Sequence, residues 1–357
     1  MAPCGRVSLS AAQAALLLIL AGCLSAPPAP APAPEPPRLV RSSPRPQPSP
    51  LPAEGPIRDM PVATSAELSR RYALLEARLV SEGRLREDGG GLEGIDADLL
   101  ATNFIRIALH DEYTPGSDGG FVARESASRL RRWSAPVEVS LQFGASVPPA
   151  QRDTDRGIAA GVVDAIAGAS GHPVRLTGSG GNFSVFVVDE SERLALRPQL
   201  RRLVPGISDP VLESMLDILP STFCLVVAFS APEAPQTYVR AVAIIRAEHP
   251  PRLRRSCFNE ELAQGMGLAN DSHEARPSIF NDDEDYARLT DQDLLLLQLL
   301  YDPRLRPGMT AAEAEAPVRE IAAGLRPPLT AAAPDAPEPP GTPPVEIAAA
   351  PAPVPPQ

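Results

Sequence analysis

Histidine is scarce in this chain. His110, His172, His249 and His273 are four among 357 residues, and no two stand at the spacing that turns two imidazoles toward one metal ion. Each reads as a surface or core residue. Positive charge is also short: 33 Lys and Arg against 44 Asp and Glu leave a net charge of −11. Without a long basic run, the chain lacks the cationic face that a phosphate backbone demands, and nucleic acid is excluded as a partner. The glycine-rich GSGGNF, residues 178–183, lacks the strand-to-helix spacing and the lysine of a phosphate loop, and reads as a hairpin. The apolar run AALLLILAG, residues 14–22, is too short to prefer a permanent transmembrane helix.

Proline, by contrast, is abundant and segregated. Of 44 prolines, 13 lie within residues 26–57 and 12 within residues 326–357. Both stretches have almost nothing to bury and are predicted to be extended and polyproline-like, the second as a disordered tail. The residues between them suffice for one sizeable core. Near the start, Arg6 precedes the apolar run and Leu20-Ala21-Gly22-Cys23 follows it, the layout of an export signal. The small pair before a cysteine resembles the bacterial lipobox, which implies cleavage before Cys23 and lipid attached to it. Residues 1–22 then read as a lipoprotein signal peptide, and 23–63 as a lipidated cysteine with a proline-rich tether. Leu24, where an aspartate would retain such proteins at the inner membrane, favours the outer membrane of a bacterial envelope, facing the periplasm. Export removes Cys4 and occupies Cys23. Cys224 and Cys257 remain as an even pair in an oxidising compartment and are predicted to form a disulfide.

Between residues 64 and 85, Leu68, Tyr72, Leu75 and Leu79 recur at helical spacing, and EDGGGLEG ends the helix. Further helices are predicted over 96–110 and 124–133. PVEVSLQFG then alternates as a strand, with Val137, Val139, Leu141 and Phe143 on one face. A helix over 151–169 stopped at Gly171, the strands PVRLTG and NFSVFVVD, a helical pair over 191–219, and the strands FCLVVAFS and TYVRAVAIIRAE follow. The fold class is α+β: a helical part at 64–135, a mixed core at 136–310, and a short helix from 311 before the tail.

The stretch CFNEELAQGMGLANDS, residues 257–272, comes almost directly after the last strand. On a helix, Phe258, Leu262, Met266 and Ala269 share one face, and Glu260, Gln264 and Gly267 the other. Taken alone, it is an amphipathic helix with a wet polar face. Its spacing also resembles the metzincin zinc peptidases, whose helix reads His-Glu-x-x-His-x-x-Gly-x-x-His. Laid on that pattern, Glu260, Gln264 and Asn270 take the three metal-ligand positions, Glu261 matches the catalytic glutamate, and Gly267 the turn. RPSIFNDDEDY, residues 276–286, resembles the turn beneath the metal, with Phe280 where metzincins have methionine. LTDQDLLLLQLLYDPRL resembles their closing helix, opened by the capping pair Thr290 and Asp293. Through NFIRIALHDEY, LRRWSAPVEVSL, SCFNEELAQGMGLANDSHEARPSIFNDDEDY and LYDPRLRPGM, the globular part also resembles an uncharacterised family of bacterial exported proteins, many of them lipoproteins, related to the zincin peptidases.

The resemblance implies a zincin-like α+β fold: a mixed sheet, an active-site-type helix and a C-terminal helix, behind an N-terminal helical segment. It does not carry activity over. The amide oxygens of Gln264 and Asn270 are weak zinc ligands, which leaves the single carboxylate of Glu260. Calcium accepts amides but wants six to eight oxygens; Asp271, Asp282, Asp283 and Asp285 are the candidates to add some, and His273 is a substitute third ligand. Glu260 and Glu261 point about 100° apart on a helix and need not share a site. The leading expectation is a membrane-anchored lipoprotein whose metallopeptidase-like domain is inactive, holds no cofactor, and binds an envelope peptide or protein. TYVRAVAIIRAE is its candidate edge strand for strand addition. The alternative is a peptidase or cell-wall hydrolase that works through Glu261 and an atypical divalent metal. A purely structural scaffold is the third reading.

Overall fold

The computed structural model describes residues 64–325 apart from Asp118 and Asp282. The signal peptide predicted for 1–22, the lipidation of Cys23 and tether predicted for 23–63, the tail predicted beyond 325, and Asp282 as a candidate ligand lie outside the described residues.

α1 (Ser65–Ser81) begins with a capping box: Thr64 accepts from the Glu67 N–H, and Glu67 accepts from the Thr64 backbone. Such a cap is worth about 1 kcal/mol. The helical spacing delivers Leu68, Tyr72 and Leu79 to a small core with Leu253 and Ala287, with Leu75 at its margin. α2 (Ala97–Ala108) follows, N-capped by Asp96. The chain then departs from the helix predicted over 124–133. β1 (His110–Pro115) and β2 (Phe121–Ala127) pair antiparallel, and β3 (Arg132–Trp133) joins the main sheet. Residues 121–127 place only Ala123 and Ala127 at i, i+4, too little apolar surface to hold a helix on a core. The loop back to β1 closes through backbone bonds among Gly116, Gly119 and Gly120, with Gly119 at φ 83, a conformation glycine adopts without strain.

The main sheet has six strands. β4 (Val137–Phe143) leads into α3 (Pro149–Ser170), β5 (Val174–Thr177) and β6 (Phe183–Val188), and β4 lies between β5 and β6, parallel to both. Residues 178–182 therefore cross over β4 and do not close the expected hairpin. A Cβ on Gly181 would stand 2.0 Å from the Glu138 carbonyl oxygen. Asn182 accepts from the Glu138 N–H at 2.7 Å and donates to the Pro136 carbonyl at 2.9 Å, extending the pairing of β4 with a side chain.

The short helices α4 (Glu190–Leu194), α5 (Arg197–Leu203) and α6 (Asp209–Leu216) precede β7 (Cys224–Ala231) and β8 (Ala234–Arg246). β8 runs parallel to β6 and β3, and β7 runs antiparallel along β8. The strand expected at the edge, β8, is thus central. β7 pairs with no second strand among the described residues, so it borders the sheet. Alternation along β6 and β8 serves two layers. Phe183, Val185, Val187, Ala241, Ala243 and Ile245 enter the larger core, whereas Phe186, Val188, Val242 and Ile244 pack with residues of α5 and α6. α7 (Pro251–Gln264), α8 (Asp291–Tyr301) and α9 (Ala311–Leu325) complete the larger core. The class is mixed α+β, as the sequence predicts. Among the described residues no helix is long and apolar enough to cross a membrane.

Candidate functional site

α7 begins just after β8 ends, with Pro250 and Pro251 opening the helix. Its first N–H groups are capped from α1: the Glu76 carboxylate accepts from Arg252 at 2.8 Å and from Leu253 at 2.9 Å. Arg254 donates to Asp155 of α3 at 2.6 Å, both of them buried. Cys257 forms the predicted disulfide with Cys224, the first residue of β7. Phe258, Leu262 and Met266 anchor the helix in the larger core. Beyond the last turn, the indole N–H of Trp133 donates to the Gly265 carbonyl at 2.8 Å, and the Tyr301 hydroxyl to the Met266 carbonyl at 3.0 Å. A helix end otherwise leaves such carbonyls open. The chain then turns at Gly267, φ 126, where a Cβ would lie 2.2 Å from the Arg131 carbonyl oxygen. No side chain fits there.

α7 and β7 line one cleft of about 1270 Å³. Residues 224–228 of β7 contribute to its lining, as do Glu260, Glu261 and Gln264 of α7. β1 adds Asp111, Glu112 and Tyr113, and the loop after α7 adds Asp271 and Glu284. The two adjacent glutamates therefore share a site, which their helical separation left open, because the cleft reaches both sides of the last turn of α7. Burial, and then Asp271, Glu284, Glu261 and Glu112, hold the Glu260 carboxyl well above the usual range. Burial, and then Glu112 and Asp271, do the same to Glu261. Glu261 is only 4% exposed, and its Oε2 has no hydrogen-bond partner among the described residues. Burial, with Glu112 beside it, also pushes the Tyr113 hydroxyl up.

The other sequence candidates divide. Gln264 lines the cleft, but its amide nitrogen donates to Asp271 Oδ1 at 3.1 Å. Asn270 does not line it: its Nδ2 donates to the Arg106 carbonyl at 2.9 Å and its backbone N–H to the Ile107 carbonyl at 3.0 Å, so α2 holds it. His273 is not in the lining either. Phe280 is fully buried, in a loop secured by Asp293, which accepts from Ser278, Ile279 and Thr290. Burial pushes the Asp293 carboxyl up to about 6 against those donors. Asp283 and Asp285 pair with Arg276. Sequence reasoning misses Glu112 and Glu284, since no periodicity places β1 or the 283–284 loop beside α7.

The cleft residues of β1, β7, α7 and the loop after it fall between residues 111 and 284, whereas Leu75, Arg78, Leu79 and Arg84 of the lining precede α2. The chain belongs to the DUF2927 family. That family is described as a protein of unknown function, and the match covers residues 97–320. No curated protein matches the chain. The DUF2927 region takes in β1, β7, α7, Gly267 and both cysteines of the disulfide. α1, which caps α7 through Glu76, precedes it.

The DUF2927 cleft does not fit a zinc ion. Of the three positions that match zinc ligands, Glu260 alone offers a strong donor. Gln264 offers only an amide oxygen, a weak zinc ligand, and Asn270 is held by α2 outside the lining. Among the described residues, no three His, Cys, Asp or Glu groups converge in a way that would hold a metal.

Proposed function

We propose that the DUF2927 domain is a degenerate peptidase-like scaffold that binds an extended peptide or protein segment without cleaving it. In this reading the chain presents the domain in the bacterial envelope, tethered by lipid on Cys23. One observation carries the proposal: the border strand β7 and the polar face of α7 line the same cleft. A border strand offers a row of N–H and C=O groups that an extended peptide satisfies by adding itself as a further strand. Kinship to the zincin peptidases is supported by the sequence of parts beside that strand: a helix, a glycine turn, a loop through Phe280 and a closing helix. Loss of cleavage follows from the donor set, because amide oxygens are weak zinc ligands, Asn270 does not line the cleft, and Glu260 is left as the one strong donor of the three.

Immobilised full-length protein is expected to retain peptides from a random decapeptide library. N-methylation of alternate backbone amides in a retained peptide is expected to weaken binding about tenfold or more, since each lost hydrogen bond is worth about 1 kcal/mol. Methylation of the intervening amides is expected to do little. Failure to retain any peptide, or equal sensitivity at every position, would contradict strand addition.

A further inference from the structure

The cleft is lined by ten carboxylate side chains and three arginines. Each arginine has a carboxylate partner: Arg78 pairs with Glu82, Arg84 with Asp283 and Asp285, and Arg131 with Asp111. The negative charge gathers where α7 meets β1, and there Glu112, Glu260, Glu261 and Asp271 act on one another. A cluster of carboxylates alone says little, because many are solvated surface. Glu261 sets this one apart. Its side chain stands in the cleft lining, it is 4% exposed, and one carboxylate oxygen has no hydrogen-bond partner among the described residues. An unpaired buried carboxylate oxygen costs free energy that folding does not recover, and it is satisfied best by a cationic donor.

We infer that the cleft recognises a lysine or arginine side chain of the bound segment, with Glu261 Oε2 as its acceptor and Glu112, Glu260 and Asp271 supplying the surrounding negative field. This rests on the strand-addition reading and adds the chemistry of the ligand. A peptide added along β7 sends alternate side chains to one face. A long cationic side chain can lay its aliphatic stem along Val226 and Ala228, which face the same layer as α7, while its head reaches that helix. Its charge would also relieve the mutual repulsion of the carboxylates. A divalent ion is the poorer occupant, because among the described residues no three carboxylates stand close enough together to hold a metal, and the amide nitrogen of Gln264, a donor, is already turned to Asp271.

The test compares two peptides on the full-length protein by fluorescence anisotropy: a library-selected decapeptide with a lysine, and the same peptide with norleucine in its place. Wild-type protein is expected to bind the lysine peptide about 10- to 100-fold more tightly, the range of a desolvated charge pair. Glu261→Gln is expected to bind both alike, at the affinity wild type has for the norleucine peptide, which also reports an intact cleft. A second readout needs no variant. The chain contains no lysine, so a carbodiimide joining carboxylates to the peptide amine meets no competing side chain. The crosslink is expected at Glu261 or Glu260. Equal binding of both peptides by wild type, with strand addition intact, would overturn the cationic preference and leave the proposed function standing. Crosslinks scattered over surface carboxylates would do the same. Displacement of the lysine peptide by one equivalent of calcium, manganese or zinc, lost in Glu261→Gln, would assign the site to a metal ion instead. Absence of any peptide binding would overturn both.

Discussion

Replacing Asp155 by alanine is expected to lower the unfolding free energy by about 3–5 kcal/mol, the range for stripping one partner from a buried ion pair. Asp155 is fully buried and Arg254 is 5% exposed, with Nε to Oδ1 at 2.6 Å. The pair is an expensive one. Asp155 Oδ2 has no hydrogen-bond partner among the described residues, and burial raises the Asp155 carboxyl despite the arginine beside it. Its value lies in position, since Arg254 also donates to the His249 carbonyl and so ties the start of α7 to the turn before it and to α3. Alanine at 155 would leave the guanidinium buried with too few acceptors. Guanidinium-chloride unfolding of the single variant checks this, and the double variant Asp155→Leu, Arg254→Met isolates the cause. Removing both charges is expected to restore stability to within about 2 kcal/mol of wild type. A loss under 1 kcal/mol in Asp155→Ala would show that the pair does not hold α7.

Removal of the disulfide is expected to cost about 4 kcal/mol. The bond joins positions 33 residues apart, and closing a loop of that length restricts the unfolded chain by about that much. The enclosed loop contains most of β7, all of β8 and the first half of α7, so the bond also holds the border strand against the helix that carries Glu260 and Glu261. Cys224→Ser with Cys257→Ser should therefore lower the unfolding midpoint and also weaken peptide binding, because β7 loses its anchor. Unfolding curves of wild type and double variant, recorded without reductant, give the first quantity and anisotropy gives the second. An unchanged midpoint would mean that the cysteines contribute packing and no constraint.

Much of the fold was legible in the chain because local signals and tertiary structure agree there. Leu68, Tyr72 and Leu79 are spaced for a helix and are buried on one. Val137 and Val139 alternate and are buried on a strand. Thr290 and Asp293 signal a helix start and form its capping box. Residues 124–133 misled because arginine, serine and leucine tolerate a helix, while the glycines closing the β1–β2 loop lie outside that window. The edge strand misled for another reason. Apolar side chains along β7 and β8 show that both are covered, but say nothing of which has hydrogen bonds taken on both edges. Adjacent residues cannot be judged from helical angle alone when a cleft bends round the helix, as with Glu260 and Glu261. The cluster around Glu261 needs β1, α7 and the 283–284 loop together, and that proximity is created only by the fold.

The central claim is that peptide occupies the outer edge of β7 beside the last turn of α7. Hydrogen–deuterium exchange of the full-length protein, with and without a saturating library-selected peptide, tests it most directly. Added protection is expected to concentrate in residues 224–231 and 260–271, with little change in β5 at the opposite edge of the sheet. Protection confined to other segments, with β7 exchanging as fast as in the free protein, would contradict it.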